Sequence, residues 1–334
     1  MKLIKLIGIL MSLAVFFSLA PAAWAAEDTV SGSFTPTNVL PTVSALEIYS
    51  DVGLTSVANS LTPQVYYFIK VTAGDGNTID DIDQIDVQLF YDPADADPAA
   101  PGVPDTQNCS IFTWDKDGGG SEWTVDAGTP TTWTILTANC TKPAVMTVGS
   151  DYWVFVITVG KVATESAGAA NWDSYAESID GSGSGDLYTR DKEVLWYGEI
   201  STGDTANFGG VDNGSGFADN TNEVSDISVT YISNGDYDQQ IKSDATWDGA
   251  SFTADFDDTG VCAVAQEFSL MAYISDTFGS AVQVDLVGVS IDDTGILTDE
   301  DGNDVTTNTL WLRIALVFSN DTYSGNIIYI IADN

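Results

Sequence analysis

Histidine is missing from all 334 residues, and only ten basic residues stand against forty-nine acidic ones, for a formal net charge of −39. Without histidine the chain lacks the side chain that titrates nearest neutral pH, which is also the commonest metal ligand. A Ser-His-Asp or Cys-His mechanism is excluded, and so is zinc held by cysteine and histidine, for which three cysteines are too few. Lysines are also scarce, so few amines are present to act as a base. The shortage of positive charge excludes electrostatic binding to nucleic acid or an anionic bilayer. No glycine-rich loop runs into Lys-Ser or Lys-Thr, and no G-x-S-x-G turn occurs. Beyond the N-terminus there is no long apolar run; residues 326–332 are only a strand's length.

What is present begins with an export signal. Lys2 and Lys5 precede an apolar stretch over 6–20, and Ala23-Trp24-Ala25 is a small-x-small cleavage site. The apolar stretch is shorter than the ~20 residues a bilayer span needs, so residues 1–25 read as a cleaved signal peptide with Ala26 as the mature start. No cysteine follows at the cleavage site, so no lipid anchor is expected. The expected location is secreted or at the extracellular cell surface, with no transmembrane span after cleavage and no nucleic-acid partner. Of the acids, 39 are aspartate and ten are glutamate. Aspartate favours turns and oxygen ligation of hard cations, whereas glutamate favours helices, so the skew points to strands and turns. High salt or divalent cations would relieve the self-repulsion of such a surface.

Hydrophobic periodicity is two nearly throughout. Val65, Tyr67, Ile69 and Val71 share one face of a strand; Ile85, Val87 and Leu89 share another; Trp153, Phe155, Ile157 and Val159 a third. Ile227, Val229 and Tyr231, and then Phe268, Leu270 and Ala272, repeat the pattern downstream. Residues 310–318 and 327–331 are apolar on both faces and read as central or interface strands. The best helical stretch, 163–179, is interrupted by glycine and promises one or two turns. The fold expected is all-β: two tandem β-sandwich domains of Ig-like type after the signal peptide. Residues 26–40 form a polar lead-in, 41–200 the first sandwich, 201–222 a Gly/Asn/Asp/Ser-rich linker or long loop, and 223–334 the second.

In 41–92 a proline-led strand, Leu61-Thr62-Pro63, a strand with paired tyrosines, a turn at 74–77 and a second long alternating strand follow one another. This arrangement resembles the Ig-like domains of acidic microbial surface and S-layer-type proteins. The resemblance spans about 50 residues, rests on strand spacing, and lacks the antibody-type Cys…Trp…Cys pattern. It implies a structural or adhesive context and transfers no catalytic residue.

Several constellations could carry chemistry. Asp299, Asp301, Asn303 and Asp304, around Gly302, alternate oxygen ligands in a turn that could bind calcium, though without the EF-hand glutamate. Turns at 115–118 and 255–260 are weaker versions. Calcium is the one cofactor the residues suggest; the alternative is that these turns simply close hairpins. A Cys109–Cys140 disulfide would close a loop of roughly 30 residues and stabilise by roughly 3–4 kcal/mol. Cys262 is left over, as a buried thiol or an inter-chain partner. Sequons place possible glycosylation at Asn108, Asn139, Asn213 and Asn320. Trp114 and Trp123 could stack on sugar rings, or they could pack in a core. Carboxylate pairs suitable for glycoside hydrolysis are unavoidable among forty-nine acids and so carry little information.

These features point to a non-enzymatic secreted structural protein, a surface-layer, filament, adhesin or virion-like subunit that assembles with itself or other surface proteins through β-rich interfaces. The alternatives are a carbohydrate-binding adhesin module using exposed tryptophans and, third, a secreted acidic hydrolase with two carboxylates.

Overall fold

The computed structural model describes residues 30–35, 37–94, 102–298 and 304–334. It is all-β: twenty strands, numbered here in chain order, with two short 3-10 turns at Ile79–Asp81 and Phe278–Ser280 and no α-helix among the described residues. The expected helical turns at 163–179 do not form. Trp172–Asp180 is a strand instead, because its residues bury alternately, Trp172, Ser174, Ala176 and Ser178 on one face. The expected signal peptide, residues 1–25, lies outside the described residues.

Two sheets are built from the first half of the chain. One has the order β1 (Thr42–Tyr49), β3 (Tyr66–Gly74), β8 (Ser150–Thr158), β7 (Thr134–Ile135). The other has the order β2 (Ser60–Leu61), β10 (Gly183–Val194), β9 (Trp172–Asp180), β4 (Ile82–Tyr91), β5 (Cys109–Asp115), β6 (Trp123–Asp126). The period-two faces read from the sequence meet between them: Ile69, Val71, Trp153 and Phe155 join Ile85, Val87, Phe112 and Trp114 in one hydrophobic cluster. At about 25 cal/mol per Å² of buried apolar surface, these large side chains are the main stabilising term.

Two further sheets are built from the second half. Seven strands include the path β11 (Gly198–Ser201), β12 (Glu223–Ser233), β19 (Asp304–Ile314), β16 (Glu267–Tyr273), β15 (Thr253–Phe256), β14 (Thr246–Asp248), with β17 (Val282–Gln283) beside β16. Three more run β18 (Val289–Gly295), β13 (Tyr237–Ser243), β20 (Ile327–Asp333). Ile227, Val229, Ile241, Phe268, Leu270 and Leu310 form a second cluster. The chain passes from one pair of sheets to the other at 195–197, between β10 and β11. Residues 201–222, expected from their composition to be a linker or long loop, bond to the end of β19: Gly214 N–H bonds Ala315 O at 3.0 Å, and Ile314 N–H bonds Ser215 O at 3.2 Å.

Buried Asn234 fastens the junction. Its amide Nδ2 donates to the carbonyls of Ala163 and Leu195, each at 2.9 Å, and its Oδ1 accepts the Tyr197 N–H at 2.6 Å. No helix among the described residues is long and apolar enough to cross a membrane.

Candidate functional site

A concavity of about 540 Å³ opens beside the seven-stranded sheet. Strand alternation supplies its floor: Trp247 from β14, Ala254 from β15, Phe268 from β16, and Leu312 and Ile314 from β19. Trp247 and Phe268 pack at 4.6 Å between ring centroids, tilted by 41°. Trp247 owes its position to Gly325, where a Cβ would fall 2.0 Å from the indole Cδ1. The buried Trp247 N–H has no hydrogen-bond acceptor among the described residues.

Two loops make the walls. One is 206–213, carrying Phe208 and Val211; the other is 318–323, carrying Phe318 and Tyr323 in an edge-on pair at 5.0 Å. The Tyr323 hydroxyl donates to Ser319 O at 3.1 Å and accepts from Gln266 Nε2 at 2.8 Å, which fixes its ring. Asn213 Nδ2 reaches Phe318 O at 3.1 Å and ties the loops together. Asp321 accepts the N–H groups of Ser251 and Thr322, both at 2.8 Å, and these bonds hold its carboxyl below the ordinary range. That is the opposite of the raised carboxyl a general acid needs. Aromatic faces ringed by amides and carboxylates suit a neutral, hydroxyl-rich molecule, and the acids disfavour an anion.

A second arrangement concerns cations. Carboxylate oxygens of Asp219, Glu223 and Asp276 lie within 4.8 Å of one another, a spacing compatible with ligands at about 2.3–2.6 Å from a calcium ion. Glu223 is fixed by hydrogen bonds from Trp311 Nε1 at 2.8 Å and Asn220 N–H at 2.9 Å. Desolvation, then repulsion from Glu223, Asp219 and Asp226, pushes the Asp276 carboxyl above its usual value. The calcium turn expected from the sequence is elsewhere. Asp299, Asp301 and Asn303 lie outside the described residues, and Asp304 opens β19 opposite Tyr231. In the weaker candidate turn, Asp257 is occupied: burial alone would raise its carboxyl, but bonds from Thr259, Cys262 and Val261 hold it low.

Other expected site residues are corrected by their surroundings. Trp114 is fully buried, 5.3 Å from Trp153, and Trp123 is buried edge-on against Phe155 at 4.9 Å. Both are core residues with no face to offer a sugar. Cys109 and Cys140 are free thiols rather than a disulfide. Cys109 lies in β5 of one sheet, while Cys140 belongs with β7 and β8 of the other, its Sγ accepting the Val156 N–H at 3.3 Å. Cys262 is also free and buried. Burial, with Asp105 and Asp126 nearby, pushes the Cys109 thiol up to about 11, and burial with Asp257 pushes Cys262 up to about 12. Asn139, Asn213 and Asn320 are exposed. Asn108 bonds Asp105 and Thr164, and its sequon's Ser110 is fully buried, so that sequon is closed in the fold.

The cavity escaped the sequence reading because its walls come from segments that look like turns. The available signal was aromatic residues stranded in polar loops, Phe208, Phe318 and Tyr323. No family model matches the chain, and no curated protein matches it.

Proposed function

We propose that this chain is a non-enzymatic structural protein of an extracellular surface, whose copies join through β-strand interfaces. The observation that carries the reading is β20. It ends the three-stranded sheet, so among the described residues one backbone edge has no strand partner in that sheet, although β11 lies against part of β20. Its alternate residues Ile327, Tyr329 and Ile331 pack against the second cluster. Ile328 and Ile330 fall on the other face, paired in register with polar Lys242 and Gln240, and are partly buried. An apolar edge strand of this length is a template for pairing with another chain, which natural proteins otherwise blunt with charge. The export signal, the acidic coat and the β-rich architecture support the same reading.

The test is Ile328→Lys with Ile330→Lys. Charge on the outward face should abolish self-association in saline, seen by light scattering, while the melting temperature stays near wild type. Association unchanged by both lysines would overturn the role of β20.

The cavity favours a second reading, a carbohydrate-binding surface module that would use Phe208 and Phe318, which line it. Phe318→Ala should lower glycan-array binding at least tenfold; a wild-type chain that binds no glycan would remove this reading.

A further inference from the structure

Lys192 stands apart from the other lysines seen in ion pairs. Lys116, Lys142 and Lys161 pair with Asp80, Glu122 and Glu199 at side-chain exposures of 33%, 41% and 25%. The Lys192 side chain is 5% exposed. A bulge in the β9–β10 pairing between Thr189 and Lys192, with Asp191 at φ 69°, precedes its entry into the interior. There its Nζ lies 2.8 Å from Glu47 Oε1, on β1, and 3.5 Å from Asn59 Oδ1, in the turn before β2. Asn59 is held in place: its carbonyl accepts the Glu193 N–H at 2.9 Å, and β2 pairs in parallel with the end of β10 from the next residue on. Glu193 is itself fixed by the Ser60 hydroxyl and by the Gly168 N–H at 2.7 Å. A buried primary amine, the carboxamide of exposed Asn59 and the part-exposed Glu47 carboxylate thus converge at the sheet edge.

We propose that Lys192 and Asn59 form an intramolecular isopeptide bond in the folded chain, with Glu47 as the proton carrier. The ammonium gives a proton to the Glu47 carboxylate across their contact, and the neutral amine is the nucleophile. Its nitrogen attacks Cγ of Asn59, placed near Nζ by the Oδ1 contact, and the new Nζ–Cγ bond forms as the carbonyl electrons move to oxygen. The Glu47 carboxyl delivers its proton to Nδ2. The carbonyl re-forms, the Cγ–Nδ2 bond breaks and ammonia departs past the part-exposed Glu47, which takes up the second Nζ proton and returns it to solvent. The balance is amine plus primary amide giving secondary amide plus ammonia, with no oxidant, reductant or metal. Pre-positioning converts a slow bimolecular amidation into an intramolecular one. The link would tie residues 133 apart and remove the buried charge.

Mass spectrometry of the intact, denatured, full-length chain tests the proposal. The expected result is a mass one ammonia below that of the sequence as processed, together with a branched proteolytic peptide joining Lys192 to Asn59. Because ammonia is also lost by succinimide formation, the branched peptide decides. It should vanish in Asn59→Ala and Lys192→Arg, and form at least tenfold more slowly in Glu47→Gln. A folded wild-type chain that yields only separate, unmodified Lys192 and Asn59 peptides after prolonged incubation overturns the proposal, whatever the variants do.

Discussion

Asp276 illustrates how a single side chain responds to the charge excess. Its carboxyl is pushed up by desolvation and then by Glu223, Asp219 and Asp226, so the folded state disfavours its ionised form. An acid raised in this way costs stability above its folded pKa, and the cost is relieved as pH falls through that value. Asp276→Asn should therefore raise the melting temperature at pH 7, and the difference from wild type should disappear below about pH 4, where carboxyls are protonated. A variant that melts lower than wild type at pH 7 would show that Asp276 makes a contact it needs. Asp321 runs the other way: its lowered carboxyl contributes stability that is present above its unfolded pKa and lost as pH falls through its folded one. Composition alone gives the number of acids. It does not distinguish the crowded ones from those bonded to backbone amides, because that depends on which turns meet in space.

At the scale of the element, most strands are readable from period two. Val71, Val87, Phe155, Val229 and Leu270 all sit on the faces that their alternation assigns to the interior. Trp114 and Trp123 were ambiguous because an aromatic on a strand looks the same whether it faces a ligand or a core; pairing with Trp153 and Phe155 is a long-range fact. The Cys109–Cys140 disulfide fails for the same reason. Sequence spacing allowed it, but both thiols are free, Cys109 in β5 and Cys140 bonded to the Val156 N–H of β8. Residues 201–222 have the composition of a linker or long loop; they hydrogen-bond to β19 and the turn after it, and 206–213 form a cavity wall. The junction lies a few residues earlier and depends on Asn234, in the turn between β12 and β13. Removing its side chain in Asn234→Ala leaves one buried and one part-buried carbonyl and one amide without this partner, at a cost of about 3 kcal/mol in urea unfolding. A change under about 0.5 kcal/mol would mean the junction is held by other contacts.

For the whole molecule, the negative charge and the apolar edge are two sides of one account. The acidic coat keeps copies apart in dilute buffer and lets them approach once salt screens it, since the Debye length falls to about 8 Å near physiological ionic strength. In the proposed assembly, short-range strand pairing at β20 acts at that point. The sequence shows the acidic excess, an N-terminal stretch that reads as an export signal, and the apolar terminal strand. It does not show that Ile328 and Ile330 face away from the chain's own core, because which face of β20 is buried depends on its register with β13. The most direct measurement is electron microscopy of the purified full chain, imaged in saline across a range of protein concentrations. Sheets, filaments or closed oligomers that disappear in the Ile328→Lys, Ile330→Lys variant are the expected result. Dispersed monomers of the wild-type chain at every concentration and ionic strength would contradict the account.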